Sequence, residues 1–275
     1  MKACLWANLD MNSLISANRD TSGDMRHRLD LLVVLVKKEF TVRYKRTILG
    51  YIWSVLQPLA MAMIYLFVFK LIFKIKIPDY TLVILSGQFP WQWLANTFNA
   101  SNSFFLGNST LLKRVKFPRF LLVLSGCCND MIHFVASLPV IVIFILIYGR
   151  YPHLNWLWLL PLLLLVHMGL TIGLALIAAT LNMFFRDMER LTNIFTTMWY
   201  FGTPVVWTAA MVPAKYKFIL YLNPAAGLLL GWRSMFMGTP VNWLLLGVSG
   251  LWALGFLVIG ALVYRAFEWR FAEVV

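Results

Sequence analysis

Charged residues are scarce in this chain. Only 13% of its 275 residues are charged and 61% are hydrophobic, whereas about a quarter of the residues of an ordinary soluble domain carry a charge. This shortage excludes a large soluble domain, because no stretch between the apolar segments approaches the roughly 100 residues that such a domain needs. Any chemistry is therefore expected in a membrane or on another polypeptide.

Acidic residues and cysteines are also few. The chain has 11 acidic residues against 24 basic ones, and three cysteines. Cys127 and Cys128 are adjacent in an apolar segment, and their spacing fits neither a disulfide nor a metal site. Asp130 is the one acid in the interior of the apolar segments, and Asp79 stands alone on the predicted outer side of the membrane. A membrane glycosyl or acyl transferase, which would need a positioned acid and base, is therefore not favoured, although it stays open as an alternative.

Six long apolar runs dominate what the sequence does contain. They cover residues 51–73, 81–106, 120–148, 156–182, 191–211 and 241–264. A helix needs about 20 apolar residues to cross roughly 30 Å of hydrocarbon, and it satisfies all of its backbone polar groups within one segment. The sequence therefore predicts an all-α integral membrane protein with six transmembrane helices.

Basic residues are distributed unevenly about these runs. Nine of the 24 precede Tyr51 and eight more lie on the same predicted side, against six on the opposite side. The positive-inside rule then places both termini in the cytoplasm. The net charge of +13 follows from this topology, and a nucleic acid partner is not predicted.

An amphipathic helix is predicted directly before the first span, over residues 29–48. Its apolar side chains recur at three- and four-residue steps and are Leu29, Leu32, Val33, Val36, Phe40 and Tyr44. With lysines on its other side, such a helix is expected to lie in the inner-leaflet interface and contact membrane lipids. Its role stays open between an anchor and the capture of a phosphorylated lipid headgroup by Arg43, Lys45 and Arg46, whose cations can donate charge-assisted hydrogen bonds to phosphate.

The second apolar run carries a row of uncharged amides. These are Gln88, Gln92, Asn96, Asn99 and Asn102. Steps of four, four, three and three residues confine them to one helix face. Amides both donate and accept hydrogen bonds, as sugar hydroxyls require, and Trp91 lies in the same segment. The row predicts a translocation path, with hydrogen bonds to neighbouring helices as the alternative.

A helical hairpin is predicted on the outer side, over residues 213–238. Its two apolar runs are too short to span, so the hairpin is expected to be re-entrant or interfacial. Asn223 followed by Pro224 predicts a helix N-cap and first turn, while Lys215, Lys217 and Arg233 are expected to hold the ends of the hairpin at the water boundary. The hairpin is expected to form either an outer gate or a surface cap. The gate residues would be Tyr216, Tyr221, Asn223, Pro224 and Arg233.

Two residue pairs inside the spans can hold helices together. Asp130 and His133 are three residues apart and can face one another. A structural role, contact with substrate or a gate, and proton coupling all stay open for them. Gly169 and Gly173 permit close helix approach, either within one subunit or in a dimer.

Several separated motifs together resemble one family. They are RYKRTILGYIW at 43–53 with Gln57 and Pro58, LKRVKFP at 112–118, NMFFRD at 182–187, Thr203 with Pro204, and LNP at 222–224 with Trp232 and Arg233. In this order and at these spacings, the motifs resemble those of the membrane subunits of ABC exporters for polysaccharides. These are the O-antigen (Wzm-type), capsule (KpsM-type) and teichoic acid (TagG-type) permeases. The likeness runs from Leu29 to the C-terminus.

The resemblance implies a homodimer that works with two separate ATP-binding subunits. Such an assembly exports a polysaccharide linked to undecaprenyl diphosphate across the bacterial inner membrane. Independently, the chain lacks a G-x-x-x-x-G-K-[ST] loop, so we expect no ATPase activity here, no cofactor bound by this chain, and ATP and Mg on the partner. Residues 108–118 resemble a coupling helix, with Ser109 or Thr110 as N-cap and Pro118 as its stop. The predicted ATPase contacts are Leu111, Leu112, Lys113, Arg114, Phe117, Arg186 and Asp187.

These predictions divide the chain into four parts. Residues 1–28 are expected to form a flexible cytoplasmic N-terminus, 29–48 the interfacial helix, 51–266 the six-helix permease domain and 267–275 a cytoplasmic tail. O-antigen is the favoured cargo because the chain is compact and lacks added domains. Capsule, teichoic acid, and a small drug or lipid stay open as alternatives.

Overall fold

Helices form all of the regular structure in the part of the chain that is described. The computed structural model describes residues 25–44, 52–65, 67–68, 72, 74, 79–115 and 117–271. In chain order the helices are α1 (Met25–Tyr44), α2 (Ile52–Tyr65), α3 (Tyr80–Ser101), α4 (Ser109–Arg114), α5 (Phe120–Ile147), α6 (Trp156–Phe184), α7 (Met188–Gly202), α8 (Ile219–Leu222), α9 (Ala226–Met237) and α10 (Trp243–Phe267). Short 3-10 turns lie at Leu106–Asn108, Ala209–Met211, Ala214–Tyr216 and Glu268–Arg270. The all-α prediction is confirmed for these residues.

Three of the described helices have the length and composition of a membrane span. They are α5 with 28 residues, α6 with 29, and α10 with its 3-10 turn, which together make 28. The count of six spans stays a prediction, because α2 covers only part of the first predicted span and the 22 residues of α3 include the polar amide row. The three long helices nevertheless form the apolar frame against which the other elements pack.

The helix of the fifth predicted span ends earlier than expected. α7 has 15 residues and ends at Gly202, whereas the apolar run continues to Met211. Fifteen residues extend only about 22 Å. Thr203 has extended backbone angles (φ −108°, ψ 145°), as the ring of the following Pro204 favours. The chain then folds back into the protein, where Val205 is fully buried. Because the residues on both sides of the break are apolar, composition did not reveal it.

α1 packs against α5. Leu31 and Leu35 are only 6% and 2% exposed, and they belong to a buried cluster that includes Phe105. The predicted apolar stripe instead has Leu29 and Val33 about half exposed, which leaves them available for lipid in an interfacial helix. Because apolar residues occur around much of this helix, their spacing did not distinguish the stripe that packs against protein.

α6 and α10 approach each other closely through glycines. A Cβ atom on Gly173 would lie 2.4 Å from the carbonyl carbon of Phe256, and one on Gly260 would lie 2.6 Å from the backbone oxygen of Gly173. Helices can approach so closely only where a side chain is missing. The predicted small-residue contact at Gly169 and Gly173 is therefore made within the subunit.

The central core lies where α3, α5, α6 and α9 meet. Trp232 of α9 is fully buried, and its indole N–H donates to Nδ1 of His167 at 3.2 Å. The His167 ring stacks on Trp93 with centroids 3.9 Å apart, and Phe134 meets Trp232 edge-on. This aromatic packing holds the second helix of the outer hairpin against the long helices.

Candidate functional site

The amides of α3 form a hydrogen-bonded ladder along one helix face. Gln88 Nε2 donates to Gln92 Oε1 at 3.5 Å, and Gln92 Nε2 donates to Asn96 Oδ1 at 2.6 Å. Both steps are of four residues, the spacing that places side chains above one another on a helix. The predicted common face is thus confirmed for these three amides. Gln92, Asn96 and Asn99 are half-buried, so the middle of the ladder is its accessible part.

Aromatic residues of α7 cover the N-terminal end of the ladder. Gln88 is 2% exposed and accepts a hydrogen bond from the Tyr200 hydroxyl at 2.8 Å. Trp91 is 3% exposed and lies edge-on to Trp199 and Tyr200, at centroid distances of 5.5 and 5.6 Å. Gln88 and Trp91 are therefore enclosed within this single subunit, and their place in a translocation path stays a prediction.

The other end of the row is also covered by α7. Thr196 Oγ1 donates to Asn99 Oδ1 at 3.0 Å, and Asn102 Nδ2 donates to Thr192 Oγ1 at 2.6 Å. Asn182 of α6 adds a bond to the Asn102 backbone oxygen at 2.7 Å. Asn102 is 2% exposed, so it makes the helix-to-helix contact that the sequence left open as the alternative to a path residue.

The opposite face of α7 has no covering element among the described residues. Its large apolar side chains are between 50% and 70% exposed, and they are Leu191, Ile194, Phe195, Met198 and Phe201. Asn193 and Thr197 are exposed on the same helix. The half-buried amides of α3 thus lie next to a helix whose exposed surface mixes apolar and polar groups.

Most of the cationic side chains that are predicted to bind the lipid headgroup lie outside the described residues. Lys45 and Arg46 lie outside the described residues, and only the backbone of Arg43 is described, in the last turn of α1. Their role stays a prediction. Within α1, Lys38 donates a hydrogen bond from Nζ to Asn108 Oδ1, which joins this helix to the start of the predicted coupling segment.

The coupling segment forms a short helix with an exposed basic end. α4 begins at Ser109 and ends at Arg114, so neither the predicted side-chain cap nor a stop at Pro118 is seen. Asn108 occupies the N-cap position without a side-chain cap bond, and its Oδ1 accepts from Lys38 Nζ instead, while its Nδ2 donates to the Phe104 backbone oxygen. Lys113 and Arg114 are exposed.

The apolar members of the same segment face inwards. Leu111, Leu112 and Phe117 pack on the buried cluster around Phe105, so each is only partly available to a partner. The segment between α6 and α7 is more open, because Arg186 and Asp187 are both exposed. The described residues thus present cations and one carboxylate at the two predicted ATPase contacts, and the contacts themselves stay a prediction.

Asn223 ties the outer hairpin to the end of α7. Its Oδ1 accepts hydrogen bonds from Trp199 Nε1 at 2.9 Å and from the Ala225 backbone N–H at 3.1 Å. Its Nδ2 donates to the Gly202 backbone oxygen and to Thr203 Oγ1. α9 begins at Ala226, three residues after Asn223, but the bond from the Ala225 N–H to Asn223 Oδ1 is the side-chain capping contact that the sequence predicted. The same amide also holds the end of α7.

The remaining hairpin residues differ in how far they are buried. Tyr216 is 46% exposed, while Tyr221 and Pro224 are half-buried. The Tyr221 backbone oxygen accepts a hydrogen bond from Trp252 Nε1 at 3.1 Å. Lys215 and Lys217 are exposed, as expected for the water boundary.

Arg233 is buried, contrary to the expectation that it lies at the water boundary. Arg233 is only 6% exposed. Nη2 donates to the backbone oxygens of Pro204 and Val205, both at 2.8 Å, and of Val83 at 3.2 Å. Nη1 donates to the Trp207 oxygen at 3.0 Å. The break after α7 leaves the carbonyls of Pro204, Val205 and Trp207 without helical hydrogen bonds, and a guanidinium has enough diverging N–H groups to satisfy them.

A salt bridge joins the residues before α3 and after α5 to the end of α9. Arg150 Nη2 lies 2.6 Å from Asp79 Oδ2, and Arg150 Nη1 donates to the Met237 backbone oxygen at 2.7 Å. The expectation that Asp79 stands alone was wrong, since its partner lies 71 residues later. Apolar runs and local spacing gave no signal for a pair so distant along the chain.

Asp130 and His133 are both buried and contact other helices. Thr97 Oγ1 of α3 donates to Asp130 Oδ2 at 2.8 Å. The His133 ring lies 4.8 Å from that of Phe40 on α1. The pair therefore contributes to the packing of α5 against α1 and α3, which is the structural role among those left open.

Comparisons with known proteins agree with this architecture. The family model for ABC-2 type transporters matches residues 30–237. The chain is 37% identical over 252 residues to the O-antigen export system permease protein RfbA of Klebsiella pneumoniae, across 92% of this chain and 97% of that protein. A permease of the same name from Myxococcus xanthus is 29% identical over 209 residues, across 75% of this chain and 80% of that protein. The polysialic acid transport protein KpsM of Escherichia coli is 22% identical over 237 residues, across 85% of this chain and 92% of that protein.

The family match runs from residue 30, within α1, to the end of α9, and includes the amide ladder and Arg233. These matches confirm the resemblance that the separated sequence motifs indicated. Together with the three long apolar helices, they make this a multi-pass membrane protein. The chain belongs to the ABC-2 type transporter family.

Proposed function

We propose that this chain is the channel-forming membrane subunit of an ATP-driven exporter of O-antigen. The cargo is a polysaccharide linked to undecaprenyl diphosphate, which moves from the cytoplasm to the periplasm across the bacterial inner membrane. Two relatives whose names refer to O-antigen export are 37% and 29% identical to this chain, against 22% for one named for polysialic acid transport. This order favours O-antigen over capsule.

The amide ladder is the observation that carries the proposal. Gln92, Asn96 and Asn99 are half-buried, and Gln92 and Asn96 bond to each other along the helix. A sugar hydroxyl can replace either partner of such a bond, because it both donates and accepts. A sliding polymer needs repeated weak contacts that it can leave as easily as it meets them, and a row of neutral amides supplies them.

ATP hydrolysis is assigned to two separate partner subunits, which would bind ATP and Mg. The exposed Lys113 and Arg114 of α4, with Arg186 and Asp187 after α6, are the proposed docking points. Charges at the rim of an interface direct partner recognition and orientation. Both termini would then lie on this cytoplasmic side, as the positive-inside rule predicts.

A second copy of the chain is proposed to close the path. In one subunit Gln92, Asn96 and Asn99 are only half-buried, and the neighbouring helix α7 has an uncovered face. That face includes Met198 at 70% exposure together with the exposed Asn193 and Thr197, a mixture that suits a protein partner lining a polar path better than lipid tails alone. Pairing two such faces would enclose the amides in a homodimer.

Arg43, Lys45 and Arg46 are proposed to receive the diphosphate headgroup. They follow the exposed cytoplasmic part of α1 in the sequence, and clustered cations bind phosphate oxygens strongly. The Lys38 to Asn108 contact places this helix next to the coupling segment. The headgroup would thus arrive beside the segment that the ATPase moves.

Replacing the accessible amides tests the function. In a strain that lacks the chromosomal gene, Gln92→Leu and Asn96→Leu are expected to reduce surface O-antigen at least about tenfold, since each removes polar contacts with the moving glycan. Lipid-linked polymer should then accumulate on the cytoplasmic leaflet. Membrane levels of the protein and copurification of the ATPase should stay normal.

Asn155→Ala provides the matched control, because Asn155 is an exposed amide in the loop before α6 with no side-chain cap bond. It should leave export unchanged. Normal export by the ladder variants at normal expression would refute the path. Incomplete polymer in the deletion strain would instead indicate an enzyme of glycan synthesis.

A further inference from the structure

Five polar side chains join the ends of α3, α6 and α7. They are Asn99, Asn102, Asn182, Thr192 and Thr196, and we call them the amide–hydroxyl junction. Three hydrogen bonds of 2.6 to 3.0 Å cross between the helices. Asn102, Asn182 and Thr192 are each no more than 4% exposed, so the junction is enclosed by protein.

The junction lies between the proposed ATPase contacts and the accessible amides. Asn102 precedes Asn108, where the coupling segment begins, by six residues. Asn182 stands one helical turn before Arg186, and Thr192 stands little more than one turn after Asp187. Each helix that enters the junction therefore leads directly into a segment proposed to contact the ATPase. In the other direction α3 continues from the junction into the ladder.

Apolar packing would hold these helices together without such polar groups. The Oδ1 atoms of Asn102 and Asn182 are buried, and neither accepts a hydrogen bond from any described residue. A buried acceptor without a donor costs free energy, so the junction is not arranged for stability alone. Each of these two oxygens is a spare acceptor, and it belongs to an amide whose Nδ2 already donates a hydrogen bond to another helix.

The spare acceptors allow a second arrangement of the same residues. In the present one, Asn102 Nδ2 donates to Thr192 Oγ1, whose own proton goes to the Glu189 backbone oxygen at 3.0 Å. Turning the Asn102 amide over would let its Oδ1 accept the Thr192 proton instead, because asparagine has both donors and acceptors. This second arrangement gives up the 3.0 Å bond from Asn102 Nδ2 to the Asn99 backbone oxygen and provides a donor for the Asn102 Oδ1 that now has none. Movement is transmitted between distant sites by structural elements that have two discrete hydrogen-bonded arrangements.

We propose that the amide–hydroxyl junction transmits movement of the ATPase-contact segments to the amide ladder. Its four buried residues are positioning residues for transport and do not touch the glycan; they are Asn102, Asn182, Thr192 and Thr196. The proposal rests on the proposed function for the identity of the cargo. Rearrangement at Asn102 and Thr192 shifts α7 relative to α3, and α7 covers both ends of the ladder, so the accessibility of the ladder changes when the ATPase changes state.

The test compares Thr192→Val with Thr192→Ser in the complex of the full chain with its ATPase. Valine keeps the shape and removes the hydroxyl, whereas serine retains it. Because coupling free energies of ordinary size correspond to about 5- to 150-fold effects, polymer exported per ATP hydrolysed should fall at least about fivefold in Thr192→Val. ATP hydrolysis should stay within about twofold of the original, and Thr192→Ser should retain export. Asn182→Leu should reproduce the loss.

Thr171→Val is the matched control, because Thr171 is a buried threonine whose hydroxyl bonds only within its own helix, to the His167 oxygen. It should export normally. Unchanged export per ATP in Thr192→Val and Asn182→Leu would overturn the proposal. So would an equal loss in Thr171→Val, or a parallel loss of export and hydrolysis, since both are the marks of a purely structural role.

A second measurement needs no polymer. In a variant without native cysteines, Gln92→Cys should change its rate of reaction with a membrane-impermeant thiol reagent when a nonhydrolysable ATP analogue binds the complex. Adding Thr192→Val should abolish this change, and a change that persists would refute transmission through the junction. A complex that hydrolyses ATP and exports no O-antigen would instead refute the proposed function, and the thiol measurement would still decide the role of the junction.

Discussion

Replacement of Arg233 by methionine should loosen the outer hairpin from the rest of the subunit. The guanidinium holds the break after α7 through the oxygens of Pro204, Val205 and Trp207, and it reaches α3 through the oxygen of Val83. Methionine fills a similar volume and donates no hydrogen bond. The variant therefore removes the polar link while it retains most of the packing.

The expected cost follows from the number of carbonyls that lose their donor. A buried acceptor without a partner costs about 1–3 kcal/mol, and three of the lost bonds are 3.0 Å or shorter. Removal of a buried charge also removes its desolvation cost, so we expect a net loss of about 3–5 kcal/mol. Lysine at position 233 should cost less, because it keeps the charge but cannot match diverging carbonyls with one ammonium group.

Thermal unfolding in detergent, followed by tryptophan fluorescence, measures this cost. At about 2–4 °C per kcal/mol, Arg233→Met should lower the midpoint by about 6–20 °C. Arg150→Met is the control, since the Arg150 side chain is 38% exposed and exposed ion pairs contribute only about 0–1 kcal/mol. A shift in Arg233→Met no larger than that of Arg150→Met would refute the role of Arg233 as a clamp.

Two further predictions concern helix contacts. Gly173→Ala should destabilise the protein by about 1–3 kcal/mol, because its Cβ would press on the α10 backbone, whereas Gly255→Ala, whose Cβ meets nothing within 4 Å, should stabilise it by up to about 1 kcal/mol. Equal unfolding midpoints for the two variants would contradict the close α6–α10 packing. For the homodimer, Met198→Cys in a variant without native cysteines should cross-link two subunits, and Leu165→Cys on the exposed face of α6, 72% exposed, should not. The reverse result would move the dimer contact away from α7.

Hydrophobic runs and local spacing predicted the helical class and the amide face, because both depend on residues close together in the chain. Gln88, Gln92 and Asn96 share a face through helical periodicity alone, and the hydrogen bonds between them confirm it. Gly173 likewise permits a close approach in any helix, whatever its partner.

Helix ends and polar partners were predicted less well. The N-cap expected at Ser109 or Thr110 failed because Asn108 holds that position, and the Asn108 side-chain oxygen accepts a hydrogen bond from the distant Lys38. Asp79 seemed isolated because its partner Arg150 is remote in sequence, and Arg233 seemed exposed because a charge is usually solvated. In each case the deciding contact joins residues far apart in the chain.

The sequence by itself determined that this protein is helical, lies in a membrane and carries a neutral polar face, since these properties follow from composition and from the period of the helix. Only the tertiary structure decided which amides stay accessible and which join helices, as Gln92 and Asn102 show. It also decided that Arg233 is a buried clamp. The physical reason is that a buried polar group must find its hydrogen-bond partner in space, and that partner is set by packing between helices.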